Sequence, residues 1–283
     1  MNILLTANSH YLCAIKTVIY SLREHTRQPI EIYLLYNQMS ARDLDDLKEY
    51  VQNKCSASLV SYYVKENFFE SLQMEDHFSP IIYYRLIAQK LLPDTVSRIL
   101  YLDVDVMVNG NIDSFYSTDF QGNGIVACEN FDDSSEYKER LGLKKTSHYV
   151  NAGVILFNMD YVRKMVPEDA VIGCIRKYSG IMKWYDQDIL NILYEDSMIC
   201  CRDRRYNFQT GCSPDKIQGF KESLENAKII HFTGSLKPWM KGYMGNAGGR
   251  YYKLLWRSGS KGKAVELSVY NTLRRWYWRV TGK

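Results

Sequence analysis

The sequence predicts an α/β protein in which helices flank a mainly parallel central sheet, forming a single domain with a short C-terminal tail. Strand-like apolar runs alternate with helical stripes along the first hundred residues, which is the order of a layered α/β fold. The 283 residues suffice for one large domain, and 46% hydrophobic with 24% charged residues is typical of a chain that buries a core. Intrinsic disorder and a collagen-like repeat are therefore excluded.

The first hundred residues contain the clearest periodic segments. Leu12, Ile15 and Ile19 recur at helical spacing, and Ser40 with Asp43 three residues later is typical of a helix start. Predicted strands are 3–6, 30–36, 57–64 and 98–102. Three helices are predicted in the same region: 11–25, a helix that begins after Ser40, and 82–92.

The second half is less regular. Predicted strands are 124–128, 150–158 and 228–232, and predicted helices are 168–178 and 187–195. The Ser/Gly-rich stretch 258–262 is the clearest linker, so we expect a catalytic domain at 1–257 and a linker with a tail at 258–283.

Composition and charge narrow the class of protein. No apolar run approaches the ~20 residues that a membrane span needs, and the start of the chain lacks the basic region of a signal peptide, so we expect a cytoplasmic protein. The seven cysteines are scattered without a Cys-x-x-Cys pair, which argues against a disulfide scaffold or a zinc knuckle. The net charge of +4 arises in residues 260–283, which hold six Lys or Arg and one Glu, so nucleic acid is not an expected partner of the body.

The strongest chemical signal is an Asp-x-Asp pair. Asp103 and Asp105 follow the apolar strand 98–102, and ligands of open α/β sheets bind at the carboxyl ends of strands. Alternate residues of an extended chain point the same way, so both carboxylates could bind one hard cation such as Mg²⁺ or Mn²⁺. The alternative is a pair of solvated or capping aspartates.

A second signal lies far downstream. His231 ends a predicted strand, Gly234 permits a tight turn, and Lys237 follows. Imidazole is a metal ligand and lysine is a point charge suited to phosphate. Taken alone, His231 is more often a structural histidine.

Together, these signals resemble the family 8 glycosyltransferases, which include bacterial lipooligosaccharide α-galactosyltransferases and glycogenin. The resemblance runs from Met1 to about Trp239 and rests on ordered motifs: 7–11, Tyr84-Arg85-Leu86, Asp103-Val104-Asp105, Asn151-Ala152-Gly153, Asp186-Gln187-Asp188 and 231–239. It implies a GT-A type, Rossmann-like fold and a retaining transfer of a hexose, galactose or glucose, from a UDP-sugar to a glycan or glycolipid acceptor.

The resemblance also implies roles for single residues. The metal, Mn²⁺ or alternatively Mg²⁺, would be bound by Asp103, Asp105 and His231. Gly234 and Lys237 match diphosphate contacts, and Arg85, Asn151, Ala152, Asp186 and Gln187 match donor-sugar contacts. The uracil and ribose would lie against Ala7, Asn8, His10 and Tyr11.

The sequence departs from its relatives at Asn8-Ser9-His10, where many members carry acidic residues before the tyrosine. Asn8 can still bond a uracil edge, and His10 could replace an asparagine at the ribose. The alternative for Tyr11 is packing at a helix start.

Catalysis would involve Gln187, which matches the position nearest the anomeric carbon, together with Asp186. An amide is a poor nucleophile, so we favour front-face substitution, with Asp188 as the reserve nucleophile. Asp186 could also be a helix N-cap. Acceptor contacts are expected within 70–80, 130–148 and 205–222.

Two other functions are compatible with part of the sequence. A haloacid-dehalogenase-type phosphatase also presents an Asp-x-Asp after a strand, but Met107 and the late position of Asp103 fit it poorly. A UDP-sugar-binding protein without efficient turnover is the alternative outside enzymes.

The tail 260–283 predicts an amphipathic helix. Val265, Val269 and Leu273 recur at helical spacing beside arginines and aromatic residues, which is typical of a helix lying on an anionic membrane surface. This would place the enzyme at the inner face of the cytoplasmic membrane. A helix docked on the domain is the alternative.

Overall fold

The computed structural model describes residues 1–65, 80–131, 135–211 and 219–281. The parts of the expected acceptor loops at 70–79, 132–134 and 212–218 lie outside these residues. Within the described ranges, ten strands form two sheets: β1 Asn2–Ala7, β2 Glu31–Tyr36, β3 Ser58–Tyr63, β4 Arg98–Leu102, β5 Val106–Val108, β6 Ile125–Glu129, β7 Val150–Asn158, β8 Met198–Cys201, β9 Phe208–Gln209 and β10 Ile229–His231.

Eleven α-helices belong to the described residues: α1 Leu12–His25, α2 Ala41–Cys55, α3 Ala88–Leu91, α4 Asp113–Tyr116, α5 Ser135–Arg140, α6 Met159–Met165, α7 Glu168–Tyr178, α8 Asp186–Leu193, α9 Phe220–Asn226, α10 Gly248–Arg257 and α11 Lys261–Thr281. Three 3-10 helices accompany them, at Ser9–Tyr11, Pro80–Ile87 and Arg204–Asn207. None of the described helices combines the length and apolarity required to cross a membrane.

The predicted α/β class is confirmed. The large sheet has the order β3-β2-β1-β4-β7-β6-β8, and its strands are parallel except that β7 runs antiparallel to β4 and β6. Apolar side chains on the two faces of this sheet pack against helices in two separate clusters. The result is one mixed α/β domain with its helices on both faces of the sheet.

Several predicted elements differ from those observed. The predicted helix over 82–92 is mostly a 3-10 helix, and only Ala88–Leu91 is α-helical. The predicted strand 228–232 is β10, which joins the small sheet β5-β10-β9 and not the large one. Ser40 caps α2 as predicted, in a reciprocal capping box with Asp43.

The tail is the helix α11, and its first half packs on the domain. Ala264 and Leu267 join an apolar cluster with α10, and Asn271 is fully buried. The Asn271 amide accepts from the backbone N–H of Gly242 at 2.6 Å and donates to the Tyr252 hydroxyl at 2.7 Å. The residues between the two helices include the buried Ser258, so 258–260 is a close connection.

We expect Asn271→Ala to lower the free energy of unfolding by about 1–3 kcal/mol, because the buried groups of Gly242 and Tyr252 lose their partner. The neighbouring exposed Thr272→Ala is the matched control and should change it by less than about 0.5 kcal/mol. Urea unfolding followed by circular dichroism measures both. Equal stability of the two variants would contradict the docking of this helix.

Candidate active site

The Asp-x-Asp pair lies where the two sheets meet. Asp103 follows β4 and Asp105 precedes β5, which pairs antiparallel with β10 so that His231 lies opposite Val106. His231 Nε2 is 3.2 Å from Asp105 Oδ1 and 3.6 Å from Asp103 Oδ2. One ligand atom from each of the three residues lies within 4.8 Å of the others. The sheet geometry thus brings the three predicted metal ligands together.

The bonding of Asp105 fits a cation at this cluster. Its side chain is buried, and among residues 1–65, 80–131, 135–211 and 219–281 no group donates a hydrogen bond to its buried Oδ1. The other oxygen, Oδ2, is 2.5 Å from Lys237 Nζ. Burial acts to raise the pKa of Asp105, but His231 and Lys237 outweigh burial and hold the pKa below its usual range. A charged carboxylate with an unsatisfied oxygen is a suitable ligand for a divalent cation.

Arg85 connects this cluster to a third carboxylate. The guanidinium is 2.9 Å from Asp103 Oδ1 and 3.2 Å from Asp186 Oδ2, and it also donates to the carbonyl of Ala152 at 2.8 Å. The guanidinium carbon Cζ lies over the Tyr101 ring, 4.2 Å from the ring centroid. Burial would lower the pKa of Arg85, but Asp103 and Asp186 raise it above its ordinary value. The cation therefore stays charged at this buried position.

The pKa of Asp186 is shifted in the direction opposite to that of Asp105. Burial raises the pKa of Asp186 to about 6, although the pairing with Arg85 opposes this rise. The residue is the first of α8, and the N-cap is Tyr185, with a φ of 43°, so the alternative that Asp186 is the cap is wrong. The ion pair with Arg85 thus holds the Asp186 carboxyl group in place although burial opposes its ionisation.

A chain of hydrogen-bonded amide side chains runs from α8 to His231. The Oε1 atom of Gln187 accepts from Asn151 Nδ2 at 3.0 Å and from the Ala152 backbone N–H at 3.2 Å. Asn151 Oδ1 accepts from Asn207 Nδ2 at 2.9 Å, and Asn207 Oδ1 is 3.0 Å from His231 Nδ1. When Nδ1 carries the proton, His231 presents an unprotonated Nε2 toward the two aspartates.

Gly153 lets β7 approach the cluster closely. Its carbonyl accepts from the Asp103 backbone N–H at 2.8 Å. A Cβ at this position would be 2.2 Å from His231 Cε1 and 2.8 Å from Asp103 Oδ2. Only glycine leaves room there for both ligands.

The cluster of Asp103, Asp105 and His231 opens into a cavity of about 540 Å³. Ten of the predicted site residues line it: Arg85, Asp103, Asp105, Asn151, Ala152, Asp186, Gln187, His231, Gly234 and Lys237. With Lys183, the wall thus combines carboxylates, three cations, amides and a glycine turn, which suits a ligand with both phosphate and hydroxyl groups.

Asp188 does not line this cavity. It is fully buried, and Oδ2 accepts from the Tyr137 hydroxyl at 2.5 Å and from the backbone N–H groups of Lys183 and Trp184 at 2.9 and 2.8 Å. Its Oδ1 accepts from the Tyr149 hydroxyl. With these bonds, the carboxylate holds the segment before α8 in place.

The four residues predicted at the nucleotide lie at the same edge of the sheet but outside the cavity wall. Ala7 ends β1, which is the parallel neighbour of β4. Asn8 Oδ1 accepts from the His10 backbone N–H and caps the first 3-10 helix. The Tyr11 ring lies edge-on to Trp239, with centroids 6.1 Å apart. This contact joins the start of the chain to the segment that carries Lys237.

Sequence reasoning missed two residues that complete the site. Asn207 is buried in a short 3-10 helix, and Tyr101 points its hydroxyl at Asp103 Oδ1 over 2.5 Å. Tyr101 lies two residues before Asp103, so strand alternation could have placed it on that face. No local pattern distinguishes Asn207 from other loop asparagines.

Comparison with known proteins agrees with this geometry. The model of the family described as glycosyl transferase family 8 matches residues 2–242. The lipopolysaccharide 1,2-glucosyltransferase of Escherichia coli is 25% identical over 252 residues, which are 85% of this chain and 73% of that protein. Glycosyltransferase GlyF of Streptococcus pneumoniae is 25% identical over 240 residues, 84% of this chain and 57% of that protein.

A solved structure shows the same fold. The galactosyltransferase LgtC, solved with donor and acceptor sugar analogues, superposes with a TM-score of 0.79 at 22% identity over 93% of this chain and all of that one. The mixed α/β domain is therefore of the GT-A type. Since the family model spans most of the sequence, the chain belongs to glycosyl transferase family 8.

Proposed function

We propose that this chain is a retaining hexosyltransferase that moves galactose or glucose from a UDP-sugar to a glycan or glycolipid acceptor, with Mn²⁺ bound by Asp103, Asp105 and His231. The observation that carries the proposal is the convergence of these three side chains on one cavity, beside Lys237 and Arg85. A glycolipid acceptor is supported by the E. coli relative, which is named as a lipopolysaccharide glucosyltransferase.

The charge of each site residue suits a different part of a UDP-sugar. The departing group of a UDP-sugar is a diphosphate, and a bound divalent cation would neutralise the charge that grows on it. Lys237 and the turn at Gly234 lie on the same cavity wall and would contact that diphosphate. Arg85 fixes Asp186, which would accept hydrogen bonds from donor hydroxyls.

The surroundings of Gln187 support front-face substitution. Its carbonyl oxygen already accepts two hydrogen bonds, from Asn151 and Ala152, so it is held in place and is a weak nucleophile. Asp188, the reserve nucleophile, is buried outside the cavity. The chain would therefore orient the donor while a donor phosphate oxygen takes the acceptor proton.

Nucleotide recognition is assigned to Ala7, Asn8, His10 and Tyr11. These residues follow β1 at the edge where β4 delivers Asp103, and Tyr11 is anchored by Trp239. Family membership argues against the phosphatase alternative. A binding protein without turnover would differ from an enzyme in releasing no UDP from a UDP-sugar and Mn²⁺.

The exposed face of α11 is proposed as a membrane contact, which would place the enzyme at the inner surface of the cytoplasmic membrane. The predicted stripe does not face the domain: Val269, Leu273 and Trp276 are 53–64% exposed, while Ala264 and Leu267 are buried. The helix is thus docked on the domain through one face and presents an apolar, basic face to solvent. This exposed face supports the proposed membrane contact.

Asp105→Ala should reduce Mn²⁺-dependent UDP release by about 10³-fold or more, since the metal that stabilises the leaving group loses a ligand. The assay is UDP release from a panel of UDP-sugars, with Asp46→Ala on the surface as matched control. Unchanged turnover in Asp105→Ala, or full activity of the unmodified protein in excess chelator, would contradict the metal site.

Gly153→Ala should weaken Mn²⁺ binding, because the added methyl group displaces His231 or Asp103. Gly173→Ala is the matched control, since nothing lies within 4 Å of a Cβ there. Titration calorimetry with Mn²⁺ measures both proteins, and thermal unfolding checks their folding. Equal Mn²⁺ affinity of the two variants would show that the close approach of β7 has no role in the metal site.

The first-formed product from an α-linked UDP-sugar should itself be α-linked, because front-face substitution retains the configuration. Anomeric coupling constants from NMR, recorded before mutarotation, give the answer. A β-linked product would contradict both the retaining mechanism and the role given to Gln187.

Leu273→Ser with Trp276→Ser should reduce binding to anionic vesicles by more than about tenfold, since each buried side chain of this size contributes about 1.5–3 kcal/mol. Deleting 260–283 is less suitable, because it would also remove the buried Asn271. Co-sedimentation at low and high salt measures binding, with the exposed Met165→Ser of α6 as control. Equal sedimentation of both variants, or binding without salt dependence, would oppose the membrane contact.

A further inference from the structure

A second group of metal-ligating side chains lies outside the cluster of Asp103, Asp105 and His231. It consists of Glu129, His148 and Cys200, whose ligand atoms lie within 4.8 Å of one another. The three side chains offer a carboxylate, an imidazole and a thiol. This mixture of ligand types differs from a surface patch of acidic residues.

The large sheet fixes the backbone of this group. Ala127 on β6 pairs with Cys200 on β8, and Glu129 lies two residues further along β6. The register of β6 and β7 is irregular between Ala127 and Glu129, and beyond this irregularity Glu129 pairs with Val150. His148 precedes Val150 by two positions. The pairing of β6 with β7 and β8 thus brings the three side chains together.

The composition of the group selects the metal. A thiolate, an imidazole and a carboxylate are the ligands that Zn²⁺ takes in tetrahedral sites, and three protein ligands leave a fourth position for water. The side chains of Glu129 and His148 are 30% and 43% exposed, which gives an ion access from solvent. We propose that Glu129, His148 and Cys200 form a zinc site.

Existing contacts are compatible with this site. His148 Nδ1 is 3.3 Å from Glu129 Oε1, while Arg204 approaches the other oxygen, Oε2, at 3.5 Å. These are long, partly exposed contacts, so rearranging them costs little. The separate oxygens also allow Arg204 and a metal ion to share one carboxylate.

The position of the site gives it a consequence. Asn130 and Phe131 directly follow Glu129 and line the cavity described above. An ion bound by Glu129, His148 and Cys200 would link residues 129 and 148 to each other and to β8. Zinc would therefore stiffen one wall of the cavity without entering it.

The test uses Co²⁺ as a coloured probe for Zn²⁺ on the full chain. Thiolate coordination gives an intense sulfur-to-cobalt charge-transfer band, which the cluster of Asp103, Asp105 and His231 cannot give because it has no sulfur. We expect this band in the unmodified protein, its loss on adding Zn²⁺, and its absence in Cys200→Ser. Cys201→Ser is the matched control, because the adjacent side chain points to the opposite face of β8; it should keep the band.

Two further measurements complete the design. His148→Ala should weaken Zn²⁺ binding by about tenfold or more, the size of effect that loss of a well-placed partner has at metal sites. Circular dichroism verifies that each variant is folded. Absence of the band in the unmodified protein, its survival in Cys200→Ser, or its equal loss in Cys201→Ser would overturn the proposal.

Discussion

The buried guanidinium of Arg85 is the interaction on which the rest of the site depends. It pairs with both Asp103 and Asp186, which come from two different parts of the chain and which repel each other. Removing one partner of such a group leaves an uncompensated buried charge, which costs about 3–5 kcal/mol. With Arg85 between them, Asp103 lies beside Asp105 and His231 while Asp186 is held at another part of the same cavity wall. The arginine thus sets the separation between the two carboxylates.

A second constraint is the antiparallel insertion of β7 between β4 and β6. In a wholly parallel sheet, Asn151 and Gly153 would lie at the far edge, away from Asp103. Because β7 runs the other way, its first residues reach the carboxyl edge of β4. The amide chain through Asn151 and Asn207 to His231 then becomes possible. One reversed strand therefore supplies part of the cavity wall and, through Asn151 and Asn207, the hydrogen-bonded support of His231.

Six of the seven strands of the large sheet, all but β8, were predictable from their apolar patterns. The grouping of Asp103, Asp105 and His231 was predictable because each of these residues lies at or just after the end of a predicted strand. Of the small sheet only β10 was predicted, because β5 and β9 are strands of three and two residues that carry no periodic signal. Asp188 resembled a catalytic residue in the Asp-Gln-Asp motif. On a helix, however, residues two apart point about 200° away from each other, so Asp186 faces the cavity while Asp188 faces the interior. Helical spacing likewise predicted the apolar stripe of α11. It did not predict which face of that helix packs on the domain.

The contact between Lys237 and Asp105 joins residues 132 positions apart in the chain. Contacts of such long sequence separation form late, because the intervening chain must first be ordered. During synthesis, β1, β2 and β4 can pair long before β10 has emerged, so a sheet exists before the site does. The cavity can therefore bind a ligand only after the whole chain has folded. A ligand that contacts both Asp105 and Lys237 stabilises only fully folded molecules.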